Sequence, residues 1–64
     1  MIREYAVEVV RRIDEDIASK QAQVGEGKCT SFEDYKNVCG QIRGLMFARD
    51  HIEATLKNIE EEDE

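Results

Sequence analysis

Apolar residues along the chain fall into two runs with helical spacing. Ile2, Ala6, Val9, Ile13 and Ile17 recur at steps of four, three, four and four, which places them on one face of a helix. Val10 widens that stripe. Glu8 with Arg12 and Asp16 with Lys20 form acid-before-base pairs on the outer side, each contributing about 0.3 kcal/mol. The stripe weakens from Ser19 to Val24, where fraying is expected. Gly25 and Gly27 flank Glu26, and glycines of this kind allow the left-handed backbone that ends a helix. The first helix is predicted over about 2–24 and a turn over about 25–30.

A second start signal follows at once. Thr30 with Glu33, or Ser31 with Asp34, can form the reciprocal cap that opens a helix, and the acids sit where the helix dipole favours them. From there Tyr35, Val38, Ile42, Leu45, Arg49, Ile52, Leu56 and Ile59 follow steps of three and four without a break. This is a heptad seam over more than three repeats, and it predicts a second helix over about 31–59. Two helices of about 22 and 30 residues would measure roughly 33 and 45 Å. A linker this short forces them antiparallel. The expected fold is all-α, a single antiparallel two-helix hairpin over residues 1–59 with a longer, overhanging second helix and an acidic tail at 60–64. Ile13 and Ile17 would meet Tyr35, Val38, Ile42, Leu45, Ile52 and Leu56 in the helix–helix core.

The second helix has a further side. Phe32, Cys39 and Met46 lie beside the seam and broaden it, whereas Gly40, Gly44, Phe47 and His51 line up elsewhere at steps of four, three and four. A glycine inside a helix costs about 1 kcal/mol relative to alanine, so a pair needs a reason. Either the glycines admit another backbone while Phe47 inserts into it, or they clear room for the first helix or permit a bend. Arg49 occupies a seam position, where a polar residue commonly fixes register. Its partner is expected to be Asp14 or Asp16, or an acid of a neighbouring subunit; otherwise it lies beyond the overlap and reaches water. Gly40, Gly44, Phe47, Arg49 and His51 are therefore the expected protein interface.

Composition narrows the function classes. In a 64-residue chain, apolar residues make up 41% and charged residues 38%, with no proline or tryptophan, the balance of amphipathic helices. A helical core this small comes out near zero when burial is set against chain entropy, so support from outside the monomer is expected. The net charge of −6 is concentrated in Glu60–Glu64, and no cluster of Lys and Arg suggests direct nucleic-acid binding. No apolar run is long enough for a membrane span, and no signal peptide is read at the start. Cys29 and Cys39 are read as free thiols, and ten residues apart they give no zinc-type pairing. His51 is read as a surface histidine. Gly25–Lys28 lacks the spacing of a phosphate loop. No catalytic, metal or cofactor residue is assigned, and the chain is not expected to be an enzyme.

The arrangement Tyr35, Gly40, Ile42, Gly44, Leu45, Ala48, Ile52, read as Y-x-x-x-x-G-x-I-x-G-L-x-x-A-x-x-x-I, resembles small helical proteins of tailed bacteriophages. Such proteins are commonly encoded among head and portal genes, and the resemblance covers about residues 30–56. It implies a minor virion component packing against portal, head-to-tail or capsid proteins, present in host cytoplasm during assembly and then in the virion. Two other readings stand beside it. One is a small acidic regulator that inhibits a host protein through Glu60–Glu64; the other is a free-standing homodimeric four-helix bundle.

Overall fold

The computed structural model describes residues 2–62. They form two helices, α1 (Ile2–Gly25) and α2 (Phe32–Glu62), packed antiparallel into a rod whose Cα atoms span 50 × 15 × 13 Å. Among the described residues there is no strand.

Both ends at the turn are closed by local chemistry. Gly27 has φ +71°, the left-handed region that only glycine enters freely. Around it Lys28 N–H donates to Gln23 C=O at 3.0 Å and Gly27 N–H to Val24 C=O at 3.1 Å. This is the paired closure that satisfies the last carbonyls of a helix. Gly25, by contrast, is simply the last residue of α1. Of the two caps the sequence allows for α2, Ser31 with Asp34 forms. Asp34 N–H donates to Ser31 Oγ at 3.0 Å, while the Asp34 carboxylate accepts from Thr30 N–H at 3.0 Å.

The seam between the helices follows steps of three and four on both sides. On α1 it runs through Ala6, Val10, Ile13, Ile17, Lys20 and Val24; on α2 it runs through Val38, Ile42, Leu45, Arg49, Ile52 and Leu56. All are at least half-buried, yet only Ile17 and Val38 fall to 5% exposure. Val10 takes the position that the simplest stripe gives to Val9, which is exposed. Lys20, spaced to pair with Asp16, occupies a seam position instead and covers apolar surface with its stem.

Two bridges fix the register. Arg49 Nη1 lies 3.1 Å from Asp14 Oδ1, and Arg3 Nε lies 2.9 Å from Glu60 Oε1. Arg3 to Asp14 and Arg49 to Glu60 are both eleven residues, three helical turns, so the helices run past one another without slipping. The same register sets Gly25 level with Val38.

This geometry locates the expected overhang of α2 and corrects two expectations. The extra length of α2 projects at the turn end, over Phe32–Asn37, because the linker climbs before α2 begins; the open end is flush. Tyr35 consequently lies above the last turn of α1 and is 44% exposed instead of sitting in the core, its ring stacked on Phe32 at 6.4 Å. Finally, the acidic run does not fray at once. α2 continues through Glu60–Glu62 and Glu60 is held by Arg3, while Asp63 and Glu64 lie outside the described residues.

Elsewhere α1 carries an exposed cluster in which Arg11 bridges Glu8 and Glu15 and Arg12 also reaches Glu8. Its hydrogen bond to Arg11 above all, helped by the two guanidinium charges and opposed by burial, lowers the Glu8 carboxyl from 4.5 to about 2. A carboxylate depressed on folding stabilises the helix above its unfolded value, and that contribution is lost as pH falls to the folded one. Helicity followed by circular dichroism should therefore fall as pH drops from 4.5 towards 2, and Glu8→Gln should flatten part of that decline. Added salt should act in the same direction as the substitution. Separately, Ser31→Ala removes the cap of α2 and should cost about 1 kcal/mol in urea denaturation.

Candidate functional site: the outer face of the hairpin

A helix packed on one side normally carries charge on the other. On α2 that rule holds for only part of the circumference. Arg43, Asp50 and Lys57 recur every seven residues, with Glu53 beside them. Yet from Asn37 to Asn58 the three heptad positions on the remaining side hold Asn37, Gly40, Gln41, Gly44, Phe47, Ala48, His51, Ala54, Thr55 and Asn58. All ten are exposed and none carries a charge when His51 is neutral. The face is thus six turns of small or uncharged side chains with one aromatic, Phe47, standing 60% exposed near its centre.

α1 extends this surface at the open end. An apolar groove of about 250 Å³ runs between the helices there, lined by Ile2, Ala6, His51, Ile52, Thr55, Leu56 and Ile59. Ile2 and His51 therefore share one side of the hairpin. Tyr5 and Val9 follow Ile2 at steps of three and four and continue the same side of α1. Ile2 is 71%, Tyr5 73% and Val9 44% exposed. Ile2 and Ala6 thus join His51, Ile52, Thr55, Leu56 and Ile59 in one mostly apolar groove spanning both helices.

The glycines do not serve the packing of α1. A Cβ built on Gly40 or Gly44 would meet nothing within 4 Å, so neither makes room for α1. Gly40, Gly44, Phe47 and His51 are brought together on the outer face, as their spacing requires. Arg49 is not among them. Its guanidinium binds Asp14 and reaches Asp50 at 3.5 Å, it is raised above its usual value chiefly by the hydrogen bond to Asp14, and its side chain is 28% exposed. It is used within the monomer. What spacing alone missed is the contribution of Ile2, Tyr5 and Val9, and the breadth added by Gln41, Ala48 and Thr55. The signal for the latter was present as a run without charge.

A second grouping lies at the turn. Cys29 and Cys39 are free and half-buried, and the Cys29 thiol is pushed up by burial, then by Asp34 and Cys39. Hydrogen bonding with Cys39 raises the Tyr35 phenol as well. A thiol held above its usual range, as that of Cys29 is, makes a poor nucleophile. Among the described residues no three His, Cys, Asp or Glu side chains are placed to hold a metal ion. The groove presents His51 and Thr55 but no carboxylate, so its chemistry is the binding of apolar groups. No described helix is long and apolar enough to cross a membrane.

Compared with protein-family models, curated proteins and solved structures, the chain gives no significant match.

Because the space over Gly40 and Gly44 is open in the isolated hairpin, Gly40→Ala and Gly44→Ala should each stabilise it by about 1 kcal/mol in thermal melts of dilute protein. If another chain closes on this face, the same substitutions should weaken that association. A melt and a binding isotherm on one sample would show opposite signs.

Proposed function

We propose that the chain is a non-enzymatic interaction protein, a helical hairpin that completes its apolar contacts against other protein chains. The observation that carries this reading is the disproportion between what is buried and what is offered. Among the described residues two apolar side chains are buried, whereas Ile2, Tyr5, Val7, Val9, Phe32, Tyr35, Phe47 and Ile59 all stand exposed. Scattered exposed apolar residues are ordinary, but Ile2 and Ile59 meet across the two helices in one apolar groove, and grouping of that kind marks an interaction site. Two glycines that weaken α2 without serving α1 support the same reading.

Within that class we place the chain as a minor structural component of a tailed-phage particle, packing against portal, head-to-tail or capsid proteins. The support is the arrangement from Tyr35 to Ile52, whose outward members Gly40, Gly44 and Ala48 lie on the uncharged face. A regulator acting through a free acidic tail is less well supported, since Glu60 is engaged by Arg3 and α2 runs on to Glu62.

Mass spectrometry of purified particles tests the placement. The chain should be present, Phe47→Asp should reduce its incorporation about tenfold or more, and truncation after Ile59 should leave incorporation nearly unchanged. Absence from particles would remove the phage placement. Loss of binding on truncation, with Phe47→Asp harmless, would transfer the contact to the acidic end and favour the regulator.

A further inference from the structure

Resting on the reading of the outer face as an interaction surface, we propose its occupant: a second copy of this chain, joined across a twofold axis through the outer face of α2. Three observations lead there.

The first is area. The chain exposes 5152 Å², whereas a compact monomer of 7.4 kDa would expose roughly 4200 Å². The excess of about 950 Å² is close to the roughly 800 Å² that each partner contributes to a stable interface of standard size. One hairpin of the same kind is large enough to cover it.

The second is charge. A chain of net charge −6 repels its own copies, so it can meet itself only where acids are absent. In a twofold dimer the same patch is used twice, and any charge on it meets its own kind. Between Asn37 and Asn58 the three outer rows of α2 satisfy this condition at every position; Arg43 and Asp50 border them beside Phe47, and Glu53 lies on the far flank. An oppositely charged partner would have no charge to read on these rows of α2.

The third is shape. Gly44 and Ala48 lie near the middle of the uncharged face and leave the backbone of α2 open to close approach. Placed at the crossing of α2 with its symmetry mate, they bring the two helices near enough for Phe47 to reach the partner. With the two α2 helices antiparallel, the acidic ends point away from each other and the helix dipoles oppose.

Light scattering behind a sizing column, on the full chain at tens of micromolar, tests the proposal. The wild-type mass should be twice 7.4 kDa. Ala48→Glu, at an exposed helical position that tolerates glutamate, should remain helical by circular dichroism and raise the dissociation constant on the order of a hundredfold, since two uncompensated carboxylates would enter one contact. In a background with Cys29 and Cys39 changed to serine, Ala48→Cys should cross-link into a covalent dimer under mild oxidation, whereas Glu53→Cys should not. A helical wild-type monomer overturns the second copy as occupant. The broader interaction reading survives that result if Phe47→Asp still lowers incorporation into particles, and falls if it does not. A dimer indifferent to Ala48→Glu, or cross-linked equally through Glu53→Cys, overturns the proposed face while leaving self-association intact.

Discussion

Two helices meet along one line, and the rest of the molecule depends on that constraint. A seam residue in a hairpin touches the opposite helix on one side and looks towards water on the flanks. A run from Val38 to Leu56 with unbroken heptad spacing therefore ends mostly half-buried, and only Ile17 and Val38 are covered on all sides. Periodicity can align such a seam, but it cannot supply the missing layers. This places unusual weight on the polar features that fix length and register: the glycine closure of α1, the serine cap of α2, and the two arginine bridges. Each is individually modest and solvent-accessible, as surface ion pairs are.

Much of this could be read in the sequence. The all-α hairpin, the longer second helix and the seam residues Ile13, Ile17, Val38, Ile42, Leu45, Ile52 and Leu56 follow from spacing alone, because a helical period fixes which side chains share a face. What spacing does not contain is the vertical offset between two helices. That offset comes from the path of the linker, and it decided the fate of Tyr35, which keeps perfect register on α2 yet has no α1 beside it. The choice between Val9 and Val10 was ambiguous for a related reason, since adjacent apolar residues both satisfy a broad stripe until a partner selects one. The fate of the acidic end likewise turned on a long-range contact, Glu60 with Arg3, which helix-dipole reasoning on α2 by itself does not include.

The outer face was legible in part. Gly40, Gly44, Phe47 and His51 share a side by helical geometry, and the structure shows that side open. Arg49 was assigned to the same interface because a charged residue on a seam invites an external partner; Asp14 answers for it inside the chain. The apolar start of α1 belongs to the surface only because antiparallel packing carries Ile2 beside His51 and Thr55, a juxtaposition of residues nearly fifty positions apart. Charge patterning carries as much information here as hydrophobicity. The seven-residue recurrence of Arg43, Asp50 and Lys57 marks the solvated side of α2, and the lack of any counterpart opposite them marks the side that water is not meant to keep.

The flush open end has a mechanical consequence. With Arg3 against Glu60, the two ends of the described chain lie side by side and the turn stands at the far end of a 50 Å rod. Tension applied between those ends would load one layer of the seam at a time, opening the hairpin as a zipper from the Arg3–Glu60 bridge inward. Tension applied along the rod, from the turn to either end, would instead shear every layer of the seam together. The same fold is thus weak to one direction of pull and strong to the other, so its stiffness in any larger assembly depends on where it is held.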